Sequence, residues 1–277
     1  MRSVFLVAAG AASLFSSAAL AADMAIAPPP QMYAPTPPPA DFGGWYLRGD
    51  IGMTNQSMKS LNNPDPNSGL FTPVGMGFDS STLFDIGIGY QFNNWFRVDA
   101  TAQWRGRANF HGSQFTDAFA GTALVDNYSG SKSEAVFMAN GYFDLGTWWC
   151  VTPFIGAGVG ASYNKISGFR DDGLGDSFGV ALPSSVVYAA DAGKWNFAWA
   201  LHTGLAYHVT PNMTVELGYS YMNLGDATTG ANSNFAGSPT PQFAWTMKDI
   251  TSHDLKLGVR WNFDSPPVYQ PPLMRKG

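Results

Sequence analysis

Leu255-Lys256-Leu257-Gly258-Val259-Arg260-Trp261-Asn262-Phe263 decides the reading of this chain. Side chains alternate along a strand with period two, so Leu255, Leu257, Val259, Trp261 and Phe263 share one face. Lys256, Gly258, Arg260 and Asn262 share the other. One face must meet an apolar medium and the other a polar one. The same alternation recurs through most of the sequence, and aromatic residues gather at the strand ends. This pattern predicts an all-β transmembrane barrel, with apolar residues toward lipid and charged residues toward the lumen.

Eight strands can be placed. They run Trp45 to Met53, Thr82 to Gln91, Phe96 to Arg105, Glu134 to Leu145, Val151 to Tyr163, Trp195 to His208, Met213 to Asn223 and Ile250 to Phe263. The connections alternate in length. Phe92 to Trp95, Gly146 to Trp149 and Val209 to Asn212 suit tight turns. The other four connections are long and rich in Asn, Ser, Gly, Asp and Thr. Short periplasmic turns and long outer loops give an eight-stranded antiparallel up-and-down barrel with both termini in the periplasm. Ten strands remain open if the loop Lys165 to Lys194 hides a hairpin around Val186-Val187-Tyr188-Ala189-Ala190.

The ends suggest a compartment. Arg2, an apolar run from Val4 to Leu20, and Ala19-Leu20-Ala21 fit a signal peptide over residues 1–21. Residues 22–42 hold proline clusters and read as a periplasmic tether; residues 264–277, also proline-rich, read as a periplasmic tail. The barrel is expected over 43–263. Past the signal, no run of eighteen apolar residues predicts a spanning helix. The chain carries 15 basic and 20 acidic residues, a balance that argues against a nucleic-acid partner. Its mean hydropathy is near zero, as expected where only every second residue faces lipid. Nine tryptophans and 31 glycines also suit a β-rich membrane protein. The single cysteine, Cys150, cannot form an intramolecular disulfide and is expected to be packed or shielded by lipid.

At Gly44 to Gly52 (GWYLRGDIG), Pro153 to Gly160 (PFIGAGVG), Val215 to Tyr221 (VELGYSY) and the terminal LKLGVRWNF, the chain resembles the small porin-family outer-membrane β-barrel proteins of alphaproteobacteria. Their barrel is of the OmpA type. The resemblance spans roughly Gly43 to Phe263 and implies a location in the outer membrane more firmly than an activity. Members are described as surface antigens, envelope-stabilising proteins and presumed porins. They usually end at the terminal aromatic, which the barrel-assembly machinery is thought to read; here fourteen residues follow Phe263.

The inward faces are heavily charged. Arg48, Asp50, Asp85, Arg97, Asp99, Glu216 and Arg260 fall at similar heights near the periplasmic turns. Buried charges of both signs imply pairing. An eight-stranded interior is just wide enough for its own side chains, so a salt-bridged plug is preferred over an ion path. Arg105, Glu134, Asp144, Asp254 and Lys256 also point inward.

Neither a metal site nor a cofactor is expected. His202 and His208 share a strand face but lie roughly 20 Å apart, and His111 and His253 are isolated. Gly156 to Gly160 superficially suggests a nucleotide loop, yet it lies inside a strand, where small residues let neighbours enter the lumen. Trp45, Tyr90, Trp95, Trp148, Trp149, Tyr207 and Trp261 suit a periplasmic aromatic girdle, and Trp104, Tyr163 and Tyr221 an outer one.

These features lead to a non-enzymatic, monomeric outer-membrane barrel that supports the envelope and meets other surfaces through its outer loops. Its expected partners are outer-membrane lipid and lipopolysaccharide, the barrel-assembly machinery and an unidentified extracellular partner. A narrow channel for ions or very small solutes is the alternative. A hydrolase acting at the outer rim is third, with His111 its only obvious base.

Overall fold

Alternation of apolar and polar residues closes the sheet on itself. The computed structural model describes residues 43–63, 68–119, 121–234, 236–239 and 244–263. The segments read as signal peptide, tether and tail lie outside the described residues. In chain order the described strands are β1 (Gly44–Ser57), β2 (Ser60–Asn62), β3 (Thr72–Phe78), β4 (Ser81–Gln91), β5 (Phe96–Phe119), β6 (Thr122–Asp144) and β7 (Val151–Ser177). There follow β8 (Val180–Ala181), β9 (Ser185–Ala189), β10 (Ala192–His208), β11 (Met213–Thr228), β12 (Asn232–Asn234) and β13 (Thr246–Asn262).

Eight of them form the ring β1–β4–β5–β6–β7–β10–β11–β13, and β13 pairs back to β1, all antiparallel. Closure pairs the ladder on both edges of every ring strand, which a lipid environment requires. Ile51, Phe84, Ile86, Phe197, Leu201, Leu217 and Leu257 project outward with about half or more of their surface exposed. Aromatic contacts mark both rims. Trp45 meets Tyr90 at 5.4 Å and Trp95 stacks on Phe143 at the periplasmic end; Tyr163 meets Trp195 at 5.1 Å and Trp199 meets Tyr221 at the outer end.

The segments read as loops between strands three and four, and between five and six, are largely strand. β5, β6 and β7 continue well past Trp104, Ala135 and Tyr163 and stay hydrogen-bonded to one another. β7 alone runs fourteen residues beyond Tyr163, about 45 Å along the strand. The segment Val186 to Ala190 does contribute a strand, β9, but that strand pairs with β7 and β12 above the ring and adds nothing to the barrel's count.

Bulges explain why these extensions escaped the alternation. Register shifts fall between Arg105 and Ala108 in β5, at Ser129/Ser131 facing Ser167–Arg170 in β7, and around Gly225 in β11. Gly168 and Gly225 adopt left-handed backbone there, with φ of 62° and 72°. An extra residue reverses the inward face. Below the bulge β5 buries Arg97, Asp99, Gln103 and Arg105; above it, Ala108 and Phe110.

Cys150 is exposed, which excludes the packed one of the two positions expected for it, packed or shielded by lipid. It sits with Trp149 in the turn joined by Trp148 and Val151, both central residues having positive φ (50° and 68°), and this geometry turns both side chains away from the barrel.

Candidate functional site

The lumen is filled in layers. Near the periplasmic end, Glu216 on β11 receives three arginines from three other strands: Arg260 at 3.3 Å, Arg97 at 3.4 Å and Arg48 at 3.6 Å. Arg48 also reaches Asp50 at 2.9 Å and Asp99 at 3.1 Å, and Arg97 reaches Asp144 at 3.3 Å. Arg48 and Arg260 lie directly opposite one another in the β1–β13 ladder. Like charges so placed repel, and Glu216 bridges them. Arg97, fully buried, also lies over the Tyr142 ring at 4.3 Å.

Six of the seven residues singled out from sequence thus share one arginine-centred cluster. Asp85 is separate: it pairs with Lys256 at 3.6 Å. Asp85 sits opposite Asp50 in the β1–β4 ladder, and Asp50 already takes Arg48. Sequence reasoning placed Asp144 inward without assigning it a partner, and it missed Tyr142 altogether. The inward glycines explain how the rings fit. An added Cβ at Gly89 or Gly156 would overlap the rings of Tyr46 or Tyr142 respectively. Between Arg48, His202, Glu216 and Lys256 lies a cavity of about 10 Å³, room for roughly one water.

A second charged layer lies above. Arg105 bonds Asp254 at 2.5 Å, Ser252 at 2.8 Å and Thr54 at 3.1 Å; Lys132 pairs with Glu134 and donates to Gln56 at 2.6 Å. Above it lies a buried apolar layer that includes Phe78, Phe110, Tyr128, Phe169, Trp245 and Met247. Phe169 stacks on Tyr128 and meets Trp245 at 5.1 Å. No sequence signal marked this cap, because its residues follow the bulges.

Two carboxyls face the space above the cap. Asp171 is buried and its Oδ1 makes no hydrogen bond among the described residues. Burial pushes its pKa up to about 7, with repulsion from Asp126 and then Asp172 adding to the shift. Burial likewise raises Asp126.

The histidines stay apart. His202 contacts Ser220 and Asn140, whereas His208 contacts Thr152 and Thr214. His111 lies 3.7 Å from Asp79, with more than half of each side chain exposed. Water screens such a pair, and among the described residues no group of three or more His, Cys, Asp or Glu side chains could hold a metal.

A closed ring of eight strands, lipid-facing on the outside between two aromatic rims and charged within, is an outer-membrane β-barrel of the surface-exposed kind. The chain belongs to the outer membrane protein beta-barrel domain family, whose profile matches residues 7–263. It is 29% identical to an uncharacterized protein of Brucella abortus, over 89% of this chain and 93% of that one. The outer membrane protein PagN of Salmonella typhimurium is 30% identical, over 79% of this chain and 90% of that protein. A putative adhesin of Rickettsia bellii is 26% identical, over 95% of this chain and 100% of its own length. The protein is therefore a resident of the cell outer membrane that exposes its longer connections at the surface.

Proposed function

We propose that the barrel is a sealed anchor and that its outer head makes adhesive contacts with surfaces outside the cell. The observation that carries this reading is the apolar cap of Phe110, Tyr128, Phe169 and Trp245, which lies across the interior where a channel would need an opening. On this reading the Glu216 cluster is structural: its arginines and carboxylates hold one another and fill the lumen, and no step of catalysis is assigned to them. Similarity to a putative adhesin supports the surface role. Outer-membrane lipid and lipopolysaccharide surround the belt, the barrel-assembly machinery inserts the chain as a monomer, and the head meets the extracellular partner.

The test pairs two measurements. A non-adherent strain displaying the protein should bind epithelial monolayers above its vector control. A variant whose β5 and β6 are joined by Asn-Gly just above the bulge should insert yet return to baseline. Purified native protein should give no sustained conductance in a planar bilayer. Equal adhesion by both strains, or a large steady conductance, overturns the proposal.

A further inference from the structure

The lipid side of the outer rim carries a basic pair that the lumen clusters do not use. Trp104, Ala135, Tyr163 and Trp195 form one row of paired residues across β5, β6, β7 and β10. The next positions outward are Arg107 in the bulge of β5, Ser133 on β6 and Lys165 on β7, where Ser133 and Lys165 are direct ladder partners. Arg107 and Lys165 are both exposed. Adjacent strands are about 4.8 Å apart, so the two cations flank the Ser133 hydroxyl at a spacing of roughly 10 Å. Lys165 lies 3.7 Å from the half-exposed Asp191, and Arg107 has no ion pair among the described residues.

One row further in, beyond Trp104, Ala135 and Tyr163, the lipid-facing wall is hollow. Ala135 places only a methyl group between Trp104 and Tyr163. Phe137, one outward step lower, stacks on Trp195 at 6.2 Å and so leans away from β5. Its ring edges a lipid-facing groove of about 610 Å³ that Ile86, Ile88, Ala100, Ala102, Ala139 and Val159 also line. Two cations above an apolar groove at a membrane surface match an anionic headgroup carrying an acyl chain.

We propose that Arg107, Ser133 and Lys165 hold the phosphate of an outer-leaflet lipid whose acyl chain lies in the Ala100–Ala102–Ala139 groove. The proposal rests on the outer-membrane reading and gives its lipid partner a site. It leaves the adhesive role of the head untouched, so the two can fail separately.

The test uses the folded full chain in detergent with equal amounts of dimyristoyl phosphatidic acid and dimyristoyl phosphatidylcholine, followed by native mass spectrometry of retained lipid. With Lys165 shared with Asp191, one to two effective basic charges at a lipid surface should favour phosphatidic acid by about 5- to 30-fold. R107Q/K165Q should bring the two lipids near parity, and R107K/K165R should keep the preference. A139L, which fills the groove, should lower retention of both lipids. Each variant is checked for the compact band of a folded barrel in unheated gels. Parity in the unmodified protein, or an undiminished preference in R107Q/K165Q, overturns the proposal. Complete displacement of phosphatidic acid by inorganic phosphate would also overturn it, since the chain would then contribute nothing.

Discussion

Glu216→Gln removes one charge from the lumen and almost no volume. Arg48 keeps Asp50 and Asp99, and Arg97 keeps Asp144. Arg260 has no other carboxylate at ion-pair distance among the described residues, Asp144 acting on it only from farther away, and its Nε and Nη1 make no hydrogen bond there. Each lost contact of 3.3–3.6 Å is worth roughly 4–5 kcal/mol in gross Coulomb energy at an effective dielectric near 20. Desolvation already offsets most of that in the native state. What remains is one stranded buried arginine facing another, which costs about 3–5 kcal/mol. With a urea dependence of about 2 kcal/mol per molar, the unfolding midpoint in lipid vesicles should drop by roughly 2 M. Tryptophan fluorescence and gel mobility report the same transition. Glu216→Gln combined with Arg260→Met removes the stranded charge and should recover most of the loss. A midpoint shift below about 0.3 M, or no recovery in the double variant, would refute the idea that Glu216 neutralises the cluster.

Ile86, with 66% of its surface exposed toward lipid, should not tolerate a charge. Ile86→Arg is expected to cost about 2–4 kcal/mol of folding stability in vesicles, and a loss under half a kcal/mol would show that the lipid face has been misassigned. The outer head should respond to pH through Asp171. Its folded pKa of about 7 exceeds the ordinary aspartate value of about 3.9, so its proton favours the folded head. That stability is full below about pH 4 and is lost as pH rises through about 7. Amide protection of β6 and β7 around Tyr128 and Asp171 should fall over this interval, and Asp171→Asn should flatten the profile. Protection that rises with pH would contradict the assignment.

The barrel was legible because lipid and lumen impose a strict binary code on neighbouring residues. Leu255 to Phe263 obeys it without a break, and so do Trp45 to Met53 and Thr82 to Gln91. The code fails where a strand takes an extra residue. After Arg105 the inward positions shift from odd to even numbers, so Phe110 reads as if it faced outward and the segment looks like loop. Phe169 is displaced in the same way by Gly168. Six residues of the charge cluster were legible, with Asp85 wrongly included and Asp144 left out, and the pairing was not, because partners depend on ladder register. The Asp50–Asp85 juxtaposition, which leaves Asp85 to Lys256, exists only once β1 is set against β4. Tyr142 carried no signal at all, since an inward aromatic reads as ordinary filling until Arg97 is found above its ring.

The bulges near the outer rim also act as an insulator against frameshifts in structure. An added or deleted residue in a continuous ladder would slide every side chain beyond it to the wrong face. Here the ladder already changes phase at Arg105/Ala108, Gly168 and Gly225, so a slip introduced above those points need not propagate into the bilayer. The segment outside the membrane can drift in length and composition while the part within it stays fixed. Chimeras that exchange everything above the bulges can therefore keep one barrel and carry many heads.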